Sequence, residues 1–235
     1  MLIVEDEADI KYVLHANFKK DGYSVWTAGN AEAGLKLARK YDPSIILMDI
    51  MLPKMDGLEM LRELRQFSSA PVLFLTAKKD EVDRIVGLKL GAEDYITKPF
   101  SLEELRLRVK RILHHTRTSD GAPARPVRAG RIEIDVDRHL VRVNGRSVNL
   151  TPREFQLLRL LVEAEGRVVS RELLSQGIWG DALSQEIDIR MVDQITTRLR
   201  KKLAPERHMI VTVCGAGYQV KMDAPVPARR SRRKL

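Results

Sequence analysis

A single cysteine, Cys214, occurs in the 235 residues, so no internal disulfide can form and the fold needs no oxidising compartment. No apolar run approaches the ~18 residues of a membrane-spanning helix, which excludes an integral membrane protein. The opening Met1-Leu2-Ile3-Val4 runs straight into Glu5-Asp6-Glu7 and lacks the apolar stretch of a signal peptide. A cytoplasmic protein is expected. Internal repeats are absent. Wholesale disorder is excluded too, because hydrophobic residues at 44% and charged residues at 31% are ordinary for a globular chain. At roughly 100–200 residues per domain, the length predicts two domains.

Charge is unevenly spread. Residues 1–115 hold 18 basic and 18 acidic side chains, so the whole net charge of +9 falls in residues 116–235. An excess of that kind points to an anionic partner, most often nucleic acid. Arg229, Arg230, Arg232, Arg233 and Lys234 concentrate part of it at the end. Residues 223–235, proline-containing and almost free of large apolar side chains, are expected to form a disordered basic tail.

The first half alternates short strand-like runs with amphipathic helical patterns. Strands are predicted at Leu2–Val4, Tyr23–Thr27, Ser44–Met48, Val72–Thr76 and Asp94–Thr97. Between them, Leu35, Leu37 and Ala38, then Leu58, Leu61 and Leu64, then Ile85, Leu88 and Leu90 recur at helical spacing. A last helix opens on the capping box Ser101-x-x-Glu104. Five β-α units predict an α/β domain over residues 1–115: a doubly wound, five-stranded parallel sheet with helices on both faces. Residues 116–129, aperiodic with two prolines and a glycine, read as a flexible linker. A second, α+β domain is predicted over residues 130–222. It has alternating strands with Asn144-Gly145 as a hairpin turn and a helix opening on Thr151-Pro152-Arg153-Glu154. Further helices start at Ser170 and Asp188, and a closing hairpin surrounds Cys214-Gly215-Ala216-Gly217. Three helices and a hairpin make a winged helix-turn-helix.

Each chemically notable residue of the first half falls just after a strand. Glu5 and Asp6 follow the first, Asp49 ends the third, Thr76 ends the fourth and Lys98-Pro99 follows the fifth. Parallel strands bring these ends together at the edge where such sheets place their sites. Singly, each residue is an ordinary cap or loop residue; five in order point to a site. Three carboxylates in one pocket repel unless a cation joins them, and hard oxygens suit Mg²⁺. Thr76 can donate to a phosphoryl oxygen and Lys98 can neutralise another. Asp49 is then left as the nucleophile, forming an acyl phosphate.

Glu5-Asp6, Asp49-Ile50-Met51-Leu52-Pro53, Thr76-Ala77 and Tyr95-Ile96-Thr97-Lys98-Pro99-Phe100 resemble the receiver domain of bacterial two-component response regulators. Thr151–Leu161 and Arg190–Leu203 resemble the effector domain of the OmpR/PhoB family, so the resemblance spans about residues 1–222. It implies a flavodoxin-like receiver, phosphorylated on Asp49 by a sensor histidine kinase, with Mg²⁺ on Asp6, Asp49 and the Met51 carbonyl and Glu5 assisting. A cis peptide before Pro99 is implied as well. Phosphorylation would draw Thr76 toward the new oxygens and let Tyr95 rotate. The same resemblance joins two receivers across the helix before strand five, strand five and the helix after it. Arg84, Glu93, Asp94, Glu104, Arg108, Lys110 and Arg111 would form that interface. One departure is the short first strand, before which family members usually carry a few residues, often a lysine. Either the start lies upstream or this edge is less stable.

The third effector helix carries Arg190, Arg198, Arg200, Lys201 and Lys202 against the single Asp193. With Val192, Ile195 and Leu199 inward, Gln194, Thr197, Arg198 and Lys201 face out, a pattern fitted to the major groove of promoter DNA. The wing adds Thr212 and Cys214; the latter is commonly Arg in the family. Trp179, Gly180 and Asp181 match the segment that contacts RNA polymerase. Two other readings remain. A dehalogenase-type phosphatase needs a second Asp two residues after the nucleophile, where Met51 stands, so turnover of external substrates is not expected. A regulator that binds DNA without phosphorylation is the other alternative.

Overall fold

The computed structural model describes residues 1–77, 90–115, 127–136, 139–180 and 188–222. These fall into two compact units. The first contains β1 (Leu2–Val4), α1 (Ala8–Lys20), β2 (Trp26–Ala28), α2 (Ala31–Tyr41) and β3 (Ile46–Asp49). It continues with α3 (Gly57–Leu64), β4 (Val72–Thr76), β5 (Asp94–Thr97) and α4 (Leu102–His115). All strands are parallel, in the order β2-β1-β3-β4-β5. This is the expected doubly wound sheet.

Successive strand residues point to opposite faces, and here both faces are covered. Leu2, Val4, Ile46, Met48, Val72 and Phe74 pack with α2 and α3. Ile3, Leu47, Leu73 and Leu75 pack with Leu14 and Phe18 of α1 and with Leu105 and Val109 of α4. The continuous apolar runs of the sequence follow from that double burial. Strand two starts later than its sequence implies: Tyr23 donates its N–H to Phe18 O and packs its ring on Phe18, closing α1. Ser101 Oγ caps α4 by accepting from Glu104 N at 3.0 Å.

The second unit opens with a four-stranded antiparallel sheet: β6 (Val127–Ala129), β7 (Ile132–Asp135), β8 (Leu140–Val143) and β9 (Arg146–Val148). β6 lies inside the stretch expected to be linker; pairing of Val127 with Ile134 and Ala129 with Ile132 recruits those residues as an edge strand. The rest of that stretch, 116–126, lies outside the described residues, as does the tail 223–235. Asn144 and Gly145 both take positive φ, 53° and 78°, as a two-residue hairpin turn requires. Next come α5 (Pro152–Glu163), α6 (Arg171–Trp179), α7 (Arg190–Lys202) and the hairpin β10 (Ile210–Val213) with β11 (Gly217–Val220). At the start of α5, Thr151 N donates to Glu154 Oε2 at 2.9 Å and Glu154 N to Thr151 Oγ1 at 3.4 Å, the reciprocal box its sequence predicts. Ser170 caps α6. Among the described residues no helix is long and apolar enough to cross a membrane.

Candidate functional site

The carboxyl ends of β1, β3, β4 and β5 converge as the topology requires. Glu5 is fully buried, Asp49 and Thr76 nearly so, and Asp6 is exposed. Carboxylate oxygens of Glu5, Asp6 and Asp49 lie within 4.8 Å of one another. Lys98 reaches across the sheet edge to join them, with Nζ 2.6 Å from Asp49 Oδ2 and 3.0 Å from Glu5 Oε1. The backbone anchors it there: Lys98 N donates to Thr76 O at 2.7 Å. The Lys98–Pro99 peptide is cis. Met51 N donates to Asp49 Oδ1 at 2.8 Å, which turns Oδ2 toward Lys98. The loop after β3 leaves no room for a side chain at Gly57, where a Cβ would sit 2.3 Å from Asp49 O.

Burial pushes the Glu5 carboxyl above its ordinary range, only partly offset by Lys98. Burial also works against the Lys98 ammonium, but hydrogen bonds to Asp49 and Glu5 outweigh it and hold the amine charged beyond its usual range. Glu5 Oε2 lies 2.9 Å from Lys98 Nζ yet receives no hydrogen bond. Three clustered carboxylates, two of them on the Lys98 ammonium, with a buried oxygen still short of a donor, fit a hard divalent cation such as Mg²⁺.

Two residues at this site were not singled out by their sequence. Glu7 places Oε1 3.3 Å from Lys98 Nζ, and Lys11 Nζ donates to the carbonyls of Glu5 and Asp6 at 2.8 and 3.4 Å. The signal for Lys11 is its place one helical turn beyond the acidic run. Met51 is 54% exposed, and Tyr95 is half-buried on β5. On the face of β5 and α4, buried Asp94 accepts from Arg108 and Arg111, each at 2.7 Å, and Arg108 also holds Glu104. Arg111 therefore reaches Asp94 within one chain; Glu93 leads into β5 through its N–H on Val72 O. Lys110 is exposed, and Arg84 lies outside the described residues.

On α7, Val192, Ile195 and Leu199 are buried, and Arg190, Gln194, Thr197 and Lys201 form the exposed stripe. Arg198, expected on that stripe, is half-buried. Arg200, expected among the DNA-binding cations, uses its guanidinium on the hairpin, on Ile210 O and Thr212 Oγ1. Thr212 and Cys214 are exposed on the wing. Trp179 is 6% exposed, because it closes the inward face of α6; Gly180 follows it with φ of 79°, and Asp181 lies outside the described residues.

A carboxylate pocket crowning a doubly wound sheet, in a chain that also carries a winged helix, defines a receiver coupled to a DNA-binding output. Sequence comparison agrees: residues 1–110 match the response regulator receiver domain, and residues 145–220 match the C-terminal domain of transcriptional regulatory proteins. The chain is 40% identical over 225 residues to the probable transcriptional regulator ycf27 of Pyropia yezoensis, covering 93% of each. It is 36% identical over 233 residues to the transcriptional regulatory protein SrrA of Staphylococcus aureus, covering 95% of this chain and 96% of that one. A solved structure of a RitR mutant has the same fold, with a TM-score of 0.67 at 24% identity over 94% of this chain and 98% of that one. The chain belongs to the OmpR/PhoB family of two-component response regulators.

Proposed function

We propose that Asp49 accepts a phosphoryl group from the histidine of a sensor kinase, and that the phosphorylated chain dimerises and binds promoter DNA. The observation that carries this is the Lys98 ammonium bridging Asp49 Oδ2 and Glu5 at the carboxyl edge of the sheet. Both Asp49 oxygens are engaged, Oδ1 by Met51 N and Oδ2 by Lys98 Nζ; Oδ2, held by a side chain that can move aside, is the one assigned to attack phosphorus. As the acyl phosphate forms, Lys98 transfers its hydrogen bond from Oδ2 to a phosphoryl oxygen, and the Thr76 hydroxyl donates to another. Mg²⁺ held by Glu5, Asp6, Asp49 and the Met51 carbonyl would neutralise charge developing on the phosphoryl oxygens. Movement of Thr76 frees space beside Tyr95, the β5 neighbour of Asp94, whose carboxylate is held by Arg108 and Arg111. Dimerisation there requires ion pairs now made within one chain to be exchanged between two. The exposed Arg108–Glu104 pair contributes only about 0–1 kcal/mol, whereas Asp94 is buried, so an arginine leaving it must be replaced by one from the partner copy.

Acetyl phosphate with Mg²⁺ should add one phosphoryl group to the wild-type chain and none to Asp49→Ala, read by intact mass. Equal labelling of the variant would remove Asp49 from this role. Labelling of neither chain, with undiminished DNA binding, would favour the phosphorylation-independent regulator.

The wing gives a second expectation. Cys214 stands exposed between β10 and β11, where its neutral side chain cannot use the enhanced negative potential of a narrow A·T-rich minor groove. Cys214→Arg should tighten binding to A·T-flanked duplexes by about 1 kcal/mol, roughly fivefold, with Asp49 phosphorylation unchanged. Equal affinity of both proteins for A·T-rich and G·C-rich flanks would mean that the wing stays out of the minor groove.

A further inference from the structure

The cations of α7 do not share one role. Arg200 is held by the hairpin: Nε and Nη2 donate to Ile210 O at 3.1 and 2.8 Å, and Nη2 also donates to Thr212 Oγ1 at 2.8 Å. Directly across the ladder from Thr212 stands Tyr218. Its ring carries two guanidinium groups, that of Arg171 at 4.9 Å and that of Arg200 at 5.7 Å from the centroid. The Tyr218 hydroxyl donates to Asp193 Oδ1 at 2.6 Å, and the same oxygen accepts from Arg171 Nε at 2.8 Å. Asp193 is thus not a stray acid on a basic helix. The chain of contacts joins α6 through Arg171, α7 through Asp193 and Arg200, β10 through Ile210 and Thr212, and β11 through Tyr218.

We propose that Arg200 and Asp193 are positioning residues that lock the wing to α7, and that Arg200 touches no DNA. The proposal rests on the DNA-binding reading above, and assigns contact with the duplex to the exposed stripe Arg190, Gln194, Thr197 and Lys201. The physical gain is preorganisation. A hairpin free to swing must be ordered when DNA binds, at a cost in affinity; one tied to α7 by a two-atom fork and a stacked tyrosine is ordered beforehand. A guanidinium consumed on a carbonyl and a hydroxyl also displaces no counterion from phosphate. Its removal should weaken binding without changing the number of ions released.

The test uses the full chain, a fluorescein-labelled mixed-sequence duplex, and salt between about 50 and 200 mM. Lys201→Ala should lower the slope of log K against log[salt] by about 1. Arg200→Ala should weaken binding about tenfold with its slope unchanged, and amides of residues 211–219 should exchange faster in the free protein. Arg200→Lys keeps the charge but not the fork, and should behave like Arg200→Ala. A slope that falls for Arg200→Ala as it does for Lys201→Ala, with amide exchange unchanged, overturns the proposal. Should Arg200→Ala fail to fold, Thr212 decides. Thr212→Val should speed exchange and weaken binding, and Thr212→Ser should restore both; wild-type exchange in Thr212→Val overturns the clamp. If the wild-type chain binds no duplex, the DNA-binding reading fails, and exchange in the free protein still judges the clamp.

Discussion

Lys98→Ala should destabilise the receiver by about 3–5 kcal/mol at neutral pH in EDTA, the loss expected when one partner leaves a buried ion pair. Glu5 and Asp49 would remain with side-chain exposures of 0% and 6% and no ammonium between them. The chain's two tryptophans fall one in each unit, Trp26 on β2 and Trp179 on α6. Fluorescence of Trp26 in a Trp179→Phe background therefore reports receiver unfolding by denaturant. The loss should depend on pH with a defined sign. Burial already holds the Glu5 pKa above its unfolded value, and removing Lys98 takes away the opposing influence. Between the unfolded and folded pKa the native state binds the extra proton, so stability falls as pH rises through that window. Acidification toward pH 5 should return part of the loss in the variant, and less in the wild type. Lys98 itself, with a raised pKa, contributes stability that is fully present at neutral pH and lost only in strongly alkaline solution. Adding Mg²⁺ should narrow the gap between the proteins, because a cation that binds only the folded pocket stabilises it by mass action. A midpoint within about 1 kcal/mol of wild type would show that Lys98 does not balance these carboxylates.

Much of this pocket was legible because parallel topology does the assembling. Once Leu2–Val4, Ile46–Asp49, Val72–Thr76 and Asp94–Thr97 are strands of one sheet, the residues at and just after their carboxyl ends must meet. The alternation of Ile46 and Met48 against Leu47 needs no tertiary knowledge either. What sequence could not give was direction. Arg198, Arg200 and Lys201 are three cations within four positions of one helix, and the last alone is exposed. For Arg200 the choice was made by the Ile210 carbonyl, a backbone atom invisible to side-chain patterning. β6 was missed for a related reason: three residues after a proline form a strand only because β7 offers an open edge. Trp179 belongs to a segment read as partner-facing, but helical phase turns its ring into the core.

The wing depends on one glycine more than its composition shows. Gly217 opens β11 with φ of 142°, and a Cβ there would lie 2.1 Å from Val169 O and 2.9 Å from Ser170 Cα. Both are backbone atoms, so no side-chain rotation relieves the overlap. The close approach exists because Val169 and Tyr218 exchange two hydrogen bonds, Val169 N to Tyr218 O at 2.8 Å and Tyr218 N to Val169 O at 3.0 Å. Gly217→Ala should push the hairpin away from the turn that precedes α6. Backbone strain of ~1–3 kcal/mol and two lost hydrogen bonds at ~0.5–1.5 kcal/mol each put the destabilisation at about 2–6 kcal/mol. Gly215→Ala is the control. It too has positive φ, 71°, but nothing lies within 4 Å of its added Cβ, so only strain of ~1–3 kcal/mol applies. Unfolding followed by Trp179 in a Trp26→Phe background should rank Gly217→Ala well below Gly215→Ala. Duplex affinity should fall in the same order, because displacing β11 carries Tyr218 away from Asp193 and loosens α7. Equal midpoints for the two variants would mean that the hairpin shifts without cost and that its contact with Val169 does not fix the wing.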